Sequence, residues 1–467
     1  MTANGNLMRP PASAYVPPLD NPFQRIGFGI LLLFLFVLYS RVFDVVLGSF
    51  QIPAVITALV LAATIFSGGL ARAVKHKTGR YFLGFTAWMA ITIPSSFWRS
   101  GSIPVFQGWL KALLVYICIA GLVATYDQTV KAIYVTGLSV LTLAILALLL
   151  GNSSSGRLFL SEGKFQNPND LAQIMLMGLP FLWLMFKSST ENLLFKLPPL
   201  IFSGIVFYVI LKSGSRGALF GFLTLFIFVF IKASMTDRIA LVLLSLILIG
   251  FSLAVVPAAL RNRYTTFFSA DEETTGPDQQ LTEIAVTSSE ARQRILKYSL
   301  LMTLRHPLFG VGPGMFTEVM EYDAQKLNSR TPWLQTHNAY TQISSELGIP
   351  GLVLYLAILF TSFRAVNAVV NASKGRNTAR WKAIGNTASC MRMSLLAYSV
   401  TALFSSVAYQ SLMPTVAGLS TVLYMTVQKE MEQEAAAAAA SPAQPSAIPL
   451  RPMAAAPRLQ NAGWQRS

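Results

Sequence analysis

Apolar runs around residues 26–40, 52–69, 81–98, 105–125, 130–150, 170–186, 194–211, 218–231, 238–256, 348–370, 393–412 and 414–427 are each long enough, or nearly so, to cross a lipid bilayer. Nothing else in the chain restricts its fold as strongly. Hydrocarbon offers the backbone no water to bond with, so such segments must satisfy their own N–H and C=O groups, and a helix of about 20 residues does so. Composition agrees, since 53% of the 467 residues are hydrophobic and only 12% are charged. The expected architecture is an all-α polytopic membrane protein of about twelve transmembrane helices, with a long, partly helical outer loop between the ninth and tenth. Pro94 interrupts the third run, and the last two runs read as one bent helix or two. The expected organisation is a disordered cytoplasmic tail over 1–21, nine helices over 22–256, a loop or cap over 257–347, three helices over 348–427 and a second disordered tail over 428–467. The first run is followed by Ser40-Arg41-Val42 rather than by a small-residue cleavage site, so it reads as an uncleaved span.

The net charge of +16 could suggest a nucleic-acid partner, but its placement points to membrane lipids. With a cytoplasmic N-terminus, alternate turns on the inner side hold Arg72, Lys75, Lys77 and Arg80, then Lys131, then Lys187 and Lys196, then Lys232 and Arg238, then Arg364 to Arg392. That is the positive-inside bias. No nucleic acid is expected to bind. Cys118 and Cys390 form neither a disulfide framework nor a metal-ligand spacing.

The same topology places four stretches outside: residues 151–170, the turn Lys212 to Gly217, the segment from about Arg261 to Gly348, and a short piece near Arg99. At about ninety residues the third is far beyond an ordinary connection and should be structured or functional. In it Ile295, Leu296, Leu300, Leu301 and Leu304 recur at helical spacing, ahead of Pro307 and a glycine-rich turn from Gly310 to Gly314. Asp271, Glu272 and Glu273 read as a solvated charge run rather than a metal site.

Three positions in these stretches carry candidate chemistry. Arg216 stands in Gly-Ser-Arg-Gly just before an apolar helix, with Ser215 as its N-cap; free N–H groups, the helix dipole and a guanidinium fork suit a phosphate. The alternative is an arginine that snorkels to lipid headgroups. Arg292 and Arg294 open the outer helix about 200° apart, so at most one faces a site, and a surface ion pair with Glu283 or Glu290 is the alternative for either. His337 follows Thr336, read as the N-cap of a helix running to Gly348, where the helix end favours a neutral imidazole suited to general-base work; a hydrogen-bonded interfacial histidine is the alternative, ordinarily favoured for a lone residue. Glu346 lies half a turn out of phase with His337 and would cap, pair with a cation or pack on another helix. His76 and His306 read as structural. An anion or lipid transporter would place charges deep inside its spans, and Lys111 alone lies there.

The ordered set "FQNPNDLA" (165–172), "SGSRGAL" (213–219), "ARQRILKYSLLMTLRHPLFGVGPGMF" (291–316) and "THNAYTQISSELGIPGL" (336–352) resembles the O-antigen ligase and polymerase superfamily of bacterial envelope glycosyltransferases. The resemblance implies a GT-C-like fold in the bacterial inner membrane. It implies cofactor-free and metal-independent transfer of a glycan from undecaprenyl pyrophosphate to an acceptor hydroxyl, on the periplasmic face. The implied partners are the undecaprenyl-pyrophosphate-linked glycan donor, a glycan or lipid A core acceptor, and membrane lipids. The implied roles are pyrophosphate binding by Arg216 and Arg292, with Arg294 competing because Leu296 stands where the family often has tryptophan, and catalysis by His337. Asn169 or Asp170, opening one helix, and Ala218, opening another, would frame a polyprenyl groove, with Arg157 and Lys164 near the donor. A ligase is preferred, and an O-antigen or exopolysaccharide polymerase using the same donor is the alternative.

Overall fold

Apolar run after apolar run folds as helix, and the exceptions mark the breaks. A computed structural model describes residues 21–46, 52–154, 156–160, 167–188, 192–255, 278–326 and 335–440. The elements in chain order are α1 (Pro22–Ser40), α2 (Val42–Val46), α3 (Ile52–Phe66), α4 (Gly69–Lys75), α5 (Lys77–Thr92), α6 (Arg99–Leu122) and α7 (Tyr126–Leu150). A two-stranded antiparallel hairpin follows, β1 (Asn152–Ser154) with β2 (Arg157–Phe159), then α8 (Pro168–Ser188), α9 (Leu193–Lys212), α10 (Arg216–Lys232) and α11 (Met235–Val255). The last are α12 (Asp278–Arg305), α13 (Phe316–Lys326), α14 (Ala339–Ser373), α15 (Ala379–Thr401) and α16 (Leu412–Ala440). One compact unit covers Met1–Gln428; the other, Lys429–Ser467, is described only through Ala440, as helix.

Among the described residues six helices are long and apolar enough to cross a membrane, α1, α6, α7, α8, α9 and α14; the α3–α4 pair, bent by 80°, would make seven. The twelve spans expected from the sequence are thus not all met by length and apolarity among the described residues. The reasons are local. Helix α5 has 16 residues and ends where Pro94 opens a 3-10 turn, α10 has 17, and α15 carries Arg380, Lys382 and Arg392. The last pair of runs is two helices, separated by an irregular polar stretch over 402–411. Residues 1–20, 256–277 and 441–467, and with them most of both predicted tails and the Asp271 to Glu273 run, lie outside the described residues.

The outer helix corrects the expected apolar face. In α12, Ile295, Ser299 and Met302 are buried, Ile295 and Met302 packing with Val311, Met315, Phe316, Val319 and Met320, whereas Leu296, Leu300, Leu301 and Leu304 are exposed. Two apolar faces on one helix suit an element lying between protein and lipid. Of the other histidines, His76 caps α5 by accepting from the Thr78 amide, and His306 is exposed.

Helix α14 contains a break on which the site depends. Gly348 sits at φ 72°, ψ −174°, dividing the helix just ahead of Pro350. The carbonyls orphaned by the break are taken by the glycine-rich loop: the Val311 amide donates to Ser345 O and the Gly312 amide to Glu346 O, each at 2.9 Å, and the Ile349 amide returns to Pro307 O at 2.7 Å. The approach is so close that a Cβ on Gly310 would lie 2.2 Å from the Glu346 carbonyl carbon, and one on Gly348 would lie 2.1 Å from Leu308 O. The two most distinctive sequence motifs are thus the two halves of one interlock.

Candidate active site

The α9–α10 turn is built by its serines. The Ser213 hydroxyl donates to Ile210 O and accepts from the Ser215 amide, Gly214 takes a left-handed φ of 60°, and Ser215 accepts from the Ala218 amide at 3.3 Å as N-cap. This leaves Arg216, half-buried, as the first residue of α10. The hairpin braces the turn: Arg157 donates from Nε to Ser213 O and from Nη2 to Asn169 Oδ1, both at 2.9 Å. Asn169 is buried, and Arg157 holds the Ser213 backbone and the Asn169 amide together. Helix α8 begins at Pro168, with Asn167 accepting from the Asn169 amide, so neither Asn169 nor Asp170 opens it as expected. Likewise α10 opens at Arg216, two residues before Ala218. Lys164 lies outside the described residues.

His337 does not lie in the first turn of a helix, as the sequence suggests. Asn338 is the N-cap of α14, its Oδ1 accepting from the Tyr340 and Thr341 amides, and His337 precedes it in a left-handed conformation, φ 50°. That conformation is uncommon for a residue with a Cβ, though histidine adopts it more readily than most. It is held by Ser406, whose hydroxyl accepts from the His337 amide at 2.8 Å and lies 3.2 Å from the Thr336 hydroxyl. The Ala339 amide also bonds to Ala402 O at 2.8 Å. The 402–411 connection therefore clamps both sides of the histidine. Sequence reasoning missed it by absorbing it into an apolar run; Ser405, Ser406 and Gln410 were the visible signal.

Electrostatics link the candidates. Burial, and after it the positive charge of Arg292, lowers the His337 imidazole pKa to about 4, so the ring is neutral near neutral pH. Arg292 is itself lowered by burial and then by Arg216, although a guanidinium stays protonated in any protein. Arg216, Arg292 and His337, from three separate segments, therefore share one local field. Arg294 is exposed, on another face of α12 from Arg292.

Glu346 is buried in the interlock. Its Oε2 accepts from the Gly314 amide at 2.8 Å and from the Tyr409 hydroxyl at 2.7 Å. It thus caps the glycine loop, and Tyr409 is a partner that no sequence spacing indicated.

Residues 201–356 match the family model described as O-antigen ligase, a span that takes in Arg216, Arg292, His337 and Glu346 and ends before Ser406. No curated protein matches the chain. With its apolar helices the chain is a multi-pass membrane protein, and its residues 201–356 are similar to the O-antigen ligase family.

Proposed function

We propose that the protein is a glycosyltransferase of the bacterial inner membrane that moves a glycan from undecaprenyl pyrophosphate to an acceptor hydroxyl at the periplasmic face, as an O-antigen ligase does. The observation that carries this reading is the match of residues 201–356, which hold Arg216, Arg292 and His337, to the O-antigen ligase family model, and the positive charge of Arg292 acting on His337 agrees with it. Two guanidinium groups close enough to repel one another suit an anion of more than one charge, and pyrophosphate is such an anion.

In this reading the pyrophosphate lies against Arg216 and Arg292. The neutral His337 accepts the proton of the incoming hydroxyl while its oxygen forms the new bond to the anomeric carbon. The bond from that carbon to the pyrophosphate oxygen breaks with its electron pair, and the arginines stabilise the charge that departs. Lipid pyrophosphate is a good leaving group, so the step needs no general acid and calls for neither cofactor nor metal.

The test is an incubation of the purified protein in liposomes with a single lipid-linked repeat unit, followed by addition of lipid A core. Glycan appearing on lipid A core, and lost in His337→Ala, supports the ligase. A ladder of longer lipid-linked chains without lipid A core assigns a polymerase using the same donor. Neither product refutes the transferase reading and leaves an anion or lipid transporter.

A further inference from the structure

Helices α10 and α15 pack along their length as antiparallel neighbours. At one level a Cβ on Gly221 would lie 3.1 Å from the Thr401 side chain, and further along the Arg392 guanidinium lies 4.8 Å from the centroid of the Phe228 ring. Arg392 stands near the middle of α15 (Ala379–Thr401), so this register sets a cation between two helices well inside one of them.

No carboxylate answers that charge. Among the described residues Arg392 is half-buried, takes part in no ion pair, and has no hydrogen-bond partner at its buried Nε. The face of Phe228 gives it a cation–π contact, which does not replace a counter-ion for a guanidinium withdrawn from water. One turn past Phe228, on the same face of α10, stands a second cation, the exposed Lys232. In the turn that follows, Asp237 accepts from the Ser234 hydroxyl at 2.7 Å, and Arg238 caps α10 by donating to Phe230 O and Ile231 O. An ionisable side chain inside a span without a protein partner points to a ligand of opposite charge.

Beside the face that carries Phe228 and Lys232 runs an apolar stripe. Leu223, Ile227 and Ile231 recur every fourth residue, about 100° around the helix, and are 48–62% exposed. A guanidinium fork, a point charge and an open apolar stripe together match a molecule with an anionic head and hydrocarbon chains. Lys232 and Arg216 close opposite ends of α10, about 24 Å apart, so this place is separate from the candidate active site.

We propose that the groove between α10 and α15 binds one anionic phospholipid at the end of α10 remote from Arg216. Its phosphate accepts from Arg392 and Lys232, and its acyl chains lie along Leu223, Ile227 and Ile231. The apolar stripe favours a lipid over a free phosphate ion, since only the lipid brings chains that gain from leaving water. The inference does not depend on the transferase reading.

The test is native mass spectrometry of the detergent-purified full chain with phosphatidylglycerol or phosphatidylcholine of the same acyl chains. The wild type should retain phosphatidylglycerol in preference to phosphatidylcholine. Arg392→Gln should weaken phosphatidylglycerol about tenfold and Lys232→Gln about fivefold. Lys382→Gln, which removes an exposed charge from the start of α15, should leave it within about twofold.

Equal retention of the two lipids by the wild type, full retention of phosphatidylglycerol by Arg392→Gln, or an equal loss in Lys382→Gln overturns the site. Displacement of phosphatidylglycerol by an equal concentration of inorganic phosphate shows a simple anion site and overturns the lipid assignment. If Arg392→Gln fails to fold, Lys232→Gln, an exposed change, decides alone. Phosphatidylglycerol binding that depends on Arg392 in a protein that transfers no glycan upholds this site and refutes the transferase reading instead.

Discussion

The Ser406 hydroxyl accepts a 2.8 Å hydrogen bond from the backbone amide of His337, across 69 residues of sequence. The bond fixes a residue whose left-handed backbone has little intrinsic preference for that state. Ser406→Ala should therefore lower kcat more than it lowers stability. A buried amide left without its partner costs about 1–3 kcal/mol, but the histidine that it positions would lose its register with the acceptor. Comparing kcat with the thermal midpoint checks this, and an unchanged kcat beside a lower midpoint would show that the bond is purely structural.

Removing the imidazole should be far more severe. His337→Ala is expected to reduce transfer by about 10²–10⁴-fold, the usual worth of a general base, while donor binding stays within a few-fold because the arginines remain. Single-turnover transfer and equilibrium donor binding, measured side by side, separate the two effects.

The acid limb of kcat/KM should lie near pH 4 rather than near 6.5, because burial and then Arg292 hold His337 neutral. Arg292→Gln should move that limb upward, though not to 6.5, since burial persists. The same depression has a stability consequence. Between pH 6.5 and 4 the unfolded chain binds a proton at this residue that the folded chain refuses, so the contribution of His337 to stability falls as pH falls through that window. A pH–rate profile of both proteins, and denaturation of His337→Gln across the same range, test the two statements.

Arg216→Ala and Arg292→Ala should each lower kcat/KM by about 10²–10³-fold if both stabilise departing charge. Lysine should restore only part of the loss, because an ammonium is a point charge without the bidentate fork. Arg294→Ala, an exposed change, should leave transfer within about twofold. An Arg294 effect as large as that of Arg292 would reverse the assignment.

Glu346→Ala should destabilise the protein, leaving the Gly314 amide and the Tyr409 hydroxyl without their acceptor, whereas Glu346→Gln retains an oxygen able to serve both. Thermal midpoints of the two variants distinguish a capping role from one that needs the charge.

Much of the site was legible because its chemistry sits in local motifs. Ser215 as N-cap, the break at Gly348 ahead of Pro350 and the glycine-rich loop follow from residues a few positions apart. Three things were hidden by physics that acts over longer range. Thr336 and Asn338 are both good caps, and only the Ser406 clamp decides between them. The inward face of α12 is set by the Phe316 and Met320 cluster rather than by its own leucines. The brace from Arg157 to Ser213 had no local signal because the two are 56 residues apart. The span count is harder to read for another reason: apolarity in a fragment as short as α5 or α10 reports burial or lipid contact without distinguishing them.

The break at Gly348 also bears on how the protein answers to its membrane. A span longer or shorter than the local hydrocarbon layer tilts to compensate. In a continuous rod that tilt would swing His337 through an arc. Here Ser345 and Glu346 before Gly348 and Ile349 just after it are all stitched to the 307–314 loop, so the break is anchored there and works as a pivot from which the helix beyond Ile349 can lean while the histidine keeps its station. Activity should accordingly change little between vesicles of short-chain and long-chain phosphatidylcholine, and stiffening the pivot should make it depend on bilayer thickness.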